Sequence, residues 1–164
     1  MTIKEKFKKI QEALLKETRM FYGARLVSVV IFGSVARGTY REDSDLDVLI
    51  IAERLPLGRM KQVEEFSLIE EKLEPLIESM SKEGLQTCIS VIFKTLEEAK
   101  QGSPLFLDLI EDAVILFDRD QFFAGILERL RKRLQELGAR RVWRGDWWYW
   151  NLKPDYKPGE IFEL

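Results

Sequence analysis

The sequence predicts an α+β fold of α/β character: a small mixed sheet with helices packed on it, followed by a C-terminal helix and an aromatic tail. Three observations predict it. Short runs rich in β-branched residues alternate with longer stretches whose apolar residues recur at helical spacing. Capping signatures, Thr2 with Glu5 and Thr95 with Glu98, stand at two of the helix starts. Glycines then close three of the helical stretches, at Gly23, Gly102 and Gly138.

Each element follows in order. Ile3 to Met20 places Ile3, Phe7, Ile10, Leu14 and Leu15 on one face and reads as a helix. Leu26 to Phe32 is a buried strand. The segment Gly33-Ser34-Val35-Ala36-Arg37-Gly38 is a turn in which Ser34 begins a helical turn. Leu46 to Ala52 is a second strand, and Pro56 and Gly58 mark a loop. Arg59 to Lys82 is a long helix with Val63, Phe66, Ile69, Leu73 and Ile77 on one face, and Pro75 predicts a kink or break. Thr87 to Phe93 is a third strand, in which Cys88 is expected to be core. A short helix from Thr95 to Gly102, a helix from Pro104 to Asp112 and a fourth strand from Ala113 to Phe117 come next. Asp120 to Leu137 is a helix with Phe123, Ile126, Leu127, Leu130, Leu134 and Leu137 on one side. The remainder is read as aromatic and irregular. The 164 residues, 46% of them hydrophobic, suit one domain, with a core of about 24–117 and a C-terminal helix and extension of about 120–164.

Composition removes several chemistries. The chain has no histidine and one cysteine, Cys88. Ser-His-Asp and Cys-His catalysis need an imidazole. A structural zinc site needs about four Cys or His ligands. One cysteine forms no internal disulfide, which agrees with a reducing compartment. No apolar run reaches the roughly 18 residues that span a membrane, and the charged start lacks a leader-type apolar stretch. The expectation is a soluble cytoplasmic protein. Its formal net charge of -2 hides an uneven distribution, acidic over 62–120 and basic over 125–144. The acidic helix Glu64 to Glu78 and the basic stretch Glu128 to Arg133 read as solvated faces, so nucleic acid is not the favoured partner.

Chemistry concentrates between Val30 and Leu49. A buried strand runs into Gly33-Ser34, where glycine permits a tight turn and close approach to a ligand. Backbone N–H groups at the start of a helical turn attract phosphate, and the Ser34 hydroxyl adds a donor. Arg37 lies about one turn further and reaches the same anion. Asp45 and Asp47, two apart at a strand start, project together while Leu46 and Val48 face the core. Two carboxylates so placed repel each other and call for a hard divalent cation; Mg²⁺ is typically shared with substrate phosphates. Ser44 shapes the approach to that strand and hydrogen-bonds nearby. Metal-assisted phosphoryl or nucleotidyl transfer needs such a pairing of phosphate cradle and carboxylates.

Phe32, Gly33, Ser34, Asp45, Asp47 and Val48, with the embedded Ala36-Arg37-Gly38, resemble the motif of the DNA polymerase β-type nucleotidyltransferase superfamily, in particular its minimal prokaryotic members. The resemblance implies that Gly33 and Ser34 hold nucleotide phosphates and that Asp45 and Asp47 bind Mg²⁺. It also implies transfer of a nucleoside monophosphate, AMP from ATP, to an acceptor hydroxyl. Superfamily members usually add a third carboxylate from a neighbouring strand, yet Thr87 to Phe93 contains none. Ser90 or Thr87 takes the place without the charge. Asp118 or Asp120 folds in, or a partner completes the site, or the protein binds nucleotide with weak or no catalysis. Small members often act beside a helical partner as its antitoxin, so a nucleotide-binding antitoxin-type partner of a separate helical toxin protein is the alternative. An antibiotic-modifying transferase is the weaker third reading, because the chain has little room for substrate-binding helices. In the tail, Trp148 and Trp150 fall on one side of an extended segment and Tyr149 on the other. These rings are expected to add to the core or to pack at a homo-oligomer interface; stacking on a base is the second reading.

Overall fold

In the computed structural model, which describes residues 1–164, the chain opens with α1 (Ile3–Tyr22), β1 (Leu26–Phe32), α2 (Gly33–Arg37) and β2 (Leu46–Ala52). It continues through α3 (Arg59–Lys82), β3 (Ile89–Lys94), α4 (Leu96–Gln101), α5 (Leu105–Asp112) and β4 (Val114–Asp118). The last elements are α6 (Phe122–Leu137), β5 (Arg140–Arg144) and β6 (Trp147–Asn151). Four strands form one mixed sheet in the order β3-β2-β1-β4. β1 is antiparallel to both β2 and β4, and β2 is parallel to β3.

Helices cover both faces. On one, Phe7, Ile10 and Leu14 of α1 and Phe66, Ile69 and Leu73 of α3 pack on Val29, Ile31, Val48 and Ile50. On the other, Ala99, Phe106, Leu109, Phe123 and Ile126 from α4, α5 and α6 pack on Val27, Val30, Leu49 and Ile51. A sheet buried on both faces explains the near-continuous apolar runs of its two central strands. Each fully buried side chain of this kind contributes about 1.5–3 kcal/mol. A bulge in β1 resets the alternation near Ser28, which is why Val27 and Val30 share a face.

The capping boxes form as expected. Thr2 and Glu5 exchange hydrogen bonds of 2.7 and 3.2 Å, and Thr95 and Glu98 do the same at 2.8 and 3.2 Å. Three expectations need correction. No break occurs at Pro75: helix α3 continues through it, and its exposed position leaves the unpaired carbonyl one turn back open to water. Strand β3 begins at Ile89, so Thr87 and Cys88 precede it. Cys88 is exposed rather than core, because it lies just ahead of an edge strand, in an open groove beside α3. The tail is not irregular: β5 and β6 form an antiparallel hairpin across Gly145 and Asp146, pairing Trp143 with Trp148 and Arg141 with Trp150. Trp150 and Leu152 pack against the α5–α6 core. No helix is long and apolar enough to cross a membrane.

Candidate functional site

The site lies where β1 ends and β2 and β3 begin. Phe32, the last residue of β1, pairs with Asp47 on β2. Gly33 follows with φ +71°, and a Cβ there would stand 3.1 Å from the Asp47 Cγ and closer still to its Oδ2. Both the left-handed backbone and the contact require glycine. Val35, 8% exposed, anchors the five-residue helix α2 in the core. Gly38 closes that helix in the left-handed conformation. Ser34 and Arg37 are thereby held on a short rigid segment next to the carboxylates.

Strand alternation places the two acids as expected. Leu46 and Val48 are fully buried against α1 and α3, while Asp45 is exposed and Asp47 half-buried on the other side. Burial, then the neighbouring charge of Asp45, raise the Asp47 carboxyl above its ordinary value; the Arg37 guanidinium pulls it back down. Asp45 is engaged by Cys88, whose thiol donates to its Oδ1 at 3.0 Å and whose N–H donates at 3.4 Å. The hydrogen bond to Asp45, then burial, push the Cys88 thiol up to about 11. Thus Cys88 is a neutral neighbour of the acid pair. Sequence pattern alone did not reveal this, because the parallel register that brings Cys88 O to Leu46 N at 2.9 Å is long-range.

Ser44 makes a local bond: its hydroxyl accepts from the Arg41 N–H at 2.8 Å and fixes the turn that leads into β2. In the parallel ladder Ser90 is the direct partner of Asp47, so the neighbouring strand presents a hydroxyl where a third carboxylate would stand. Asp118 does not fold in. It pairs with Ser28 at the far end of β1, accepts from the Ser28 hydroxyl at 2.7 Å, and caps α6 through the N–H groups of Phe123 and Ala124, each at 2.9 Å. Asp120 is exposed in the turn beside it. No three His, Cys, Asp or Glu side chains converge on one point. The donor set is therefore two carboxylates with one neighbouring cation, and it suits a hard cation that takes its remaining oxygens from phosphate and water.

One neighbour comes from an unexpected quarter. The Arg37 guanidinium carbon lies 4.8 Å from the centre of the Trp148 ring, so the C-terminal hairpin reaches the site. The alternation of the tail was a signal that this segment covers something; what it covers depends on tertiary docking.

The model of the nucleotidyltransferase domain family matches residues 8–117, which is more than half of the chain. The chain belongs to the nucleotidyltransferase domain family. Among relatives of this family, a protein of Methanocaldococcus jannaschii provisionally named a protein adenylyltransferase is 28% identical over 128 residues, covering 78% of this chain and 83% of its own. The protein adenylyltransferase MntA of Thermococcus cleftensis is 34% identical over 84 residues, covering 49% of this chain and 83% of its own. A solved toxin–antitoxin structure with AMP-PNP has a TM-score of 0.45 at 14% identity, over 84% of this chain and 94% of that one. The nucleotidyltransferase match runs from within α1 to within β4. Helix α6 and the β5–β6 hairpin lie outside it.

Proposed function

We propose that the chain is a protein adenylyltransferase, moving AMP from ATP to a hydroxyl on a protein acceptor with Mg²⁺ and releasing pyrophosphate. The observation that carries the reading is the contact of Gly33 with the Asp47 carboxylate, which sets a helix start and an acid pair side by side. Membership of the nucleotidyltransferase family and the names of its relatives support it. Gly33 and Ser34 would receive phosphate through backbone N–H groups and the serine hydroxyl, and Arg37 would pair with the same anion. Ser44 acts from behind, by fixing the start of β2. Asp45 and Asp47 would hold Mg²⁺. When bound, that ion would neutralise phosphate charge and polarise the α-phosphate. The acceptor oxygen gives up its proton to water and forms the new bond to the α-phosphorus as the bond to pyrophosphate breaks, a displacement in which positioning and charge stabilisation do most of the work.

A second reading is a nucleotide-binding antitoxin-type partner of a separate helical toxin protein, with weak or no catalysis. It is favoured by Ser90, which stands opposite Asp47 without a charge. One experiment separates the two. The protein is incubated with α-labelled ATP and Mg²⁺ and with candidate protein, RNA and small-molecule acceptors, beside the Asp45→Asn/Asp47→Asn variant. Label on a protein acceptor that the double variant fails to produce supports the enzyme. ATP binding without transfer selects the second reading. Transfer that survives the double substitution overturns the proposed site.

A further inference from the structure

Trp148 is tied into the molecule from three sides. Its indole N–H donates to Asp108 of α5 at 3.0 Å. Its ring packs on that of Trp143 at 4.9 Å between centres. Two guanidiniums lie over it, Arg141 at 4.3 Å and Arg37 at 4.8 Å. Arg141 is itself fixed by an ion pair with Asp112 of α5 at 3.0 Å. The inner face of the hairpin is thus locked to α5, while Trp147 and Tyr149 on the outer face remain 60% and 41% exposed.

Arg37 contrasts with Arg141. Its side chain makes no hydrogen bond and no ion pair in the chain, although it lies close enough to Asp47 to influence it. What holds its guanidinium is the face of Trp148. A cation–π contact uses the flat face of a guanidinium and leaves the N–H donors, which lie in its plane, free. Those donors form the fork that meets phosphate oxygens in pairs.

We infer that the C-terminal hairpin is a working wall of the nucleotide site, with Trp148 as a positioning residue that presents Arg37 to the triphosphate. The inference rests on the ATP reading above. It assigns a role to a segment that lies outside the family match. The hairpin acts on the phosphates through Arg37. All four tryptophans lie between Trp143 and Trp150, so tryptophan emission reports on this hairpin alone.

The test compares Trp148→Phe, which keeps a ring face, with Trp148→Leu, which keeps apolar bulk without one. Trp147→Phe is the control. Each full-length variant is melted to confirm folding and titrated by calorimetry with ATP and, separately, with adenosine, both with Mg²⁺. Trp148→Leu should weaken ATP binding about fivefold, the scale of a partly exposed cation–π contact. Adenosine affinity should not change, Trp148→Phe should recover most of the loss, and Trp147→Phe should match the wild type. ATP should shift tryptophan emission in the wild type. Equal ATP affinity in Trp148→Leu and Trp148→Phe overturns the positioning role. So does a loss that falls equally on adenosine. Failure of the wild type to bind ATP at all overturns the nucleotide reading, and this inference with it.

Discussion

Gly33 has no side chain at the place where a Cβ would strike the carboxylate of Asp47. The end of β1 and the start of β2 approach each other there because Phe32 and Asp47 are ladder partners. Gly33→Ala therefore meets two obstacles, a positive φ that costs an L-residue about 1–2 kcal/mol and a collision with the acid. The variant should lose at least about 1–2 kcal/mol of stability and so unfold at lower denaturant. The proposed AMP transfer should also be lost entirely, because relief of the collision moves Asp47 away from the helix start. Denaturant titration beside a label-transfer assay checks both, and full transfer in a folded Gly33→Ala protein would sink the proposed arrangement.

Asp47 is held against its own preference. Burial and the charge of Asp45 favour its neutral form, so an uncharged isostere suits the ligand-free fold better. Asp47→Asn should melt at a higher temperature than the wild type when no ligand is present. The order should reverse with Mg²⁺ and ATP. Ligand that binds only the native state raises stability by about 2.7 kcal/mol at a hundred times its dissociation constant. That gain should appear in the wild type, vanish on chelation of the metal, and be missing in Asp47→Asn. Paired melting curves read the reversal.

Ser90 faces Asp47 across the parallel ladder, so Ser90→Asp places a carboxylate beside the pair. A neighbouring charge of this kind shifts equilibria by a pK unit or more. The variant should bind Mg²⁺ about tenfold more tightly, about 1.4 kcal/mol, and transfer label faster. Apo stability should fall, since three acids repel more than two. Calorimetric Mg²⁺ titration in the presence of a non-hydrolysable ATP analogue measures the gain.

Much of this was legible from residue order. The alternation Asp45-Leu46-Asp47-Val48 fixes which side chains meet water, and local pattern suffices for that. The capping boxes at Thr2 and Thr95 are equally local. The exposure of Cys88 is not legible, because an apolar run says nothing about where an edge strand loses its cover. The hairpin has a local signal: two residues, Gly145 and Asp146, between Arg140–Arg144 and the aromatic run Trp147–Trp150. Its docking on Arg37 had none, since a contact between residues 37 and 148 is made by the packing of α5 and not by spacing.

Asp118 illustrates a carboxylate whose work is structural. It caps α6 through two N–H groups and accepts from Ser28, all within 2.9 Å. Asp118→Ala should cost about 2 kcal/mol, the upper range for a lost cap, because it also leaves the buried Ser28 hydroxyl without its acceptor. Mg²⁺ and ATP affinity, measured well below the melting temperature, should stay at the wild-type level. A selective loss of metal affinity would instead return Asp118 to the site.

Glu70 gives a pH test, in a groove it shares with Cys88. It lines an open groove with Glu71, Glu74 and Glu78, and burial raises its carboxyl above the ordinary 4.5. The fold therefore prefers Glu70 protonated. Its contribution to stability is complete below 4.5 and is lost as pH rises through the raised value. Glutamine imitates the protonated form at every pH. Glu70→Gln should accordingly melt above the wild type at about pH 7 and coincide with it at about pH 3.5. A difference that stays constant across that window would mean that the substitution acts through packing and not through charge.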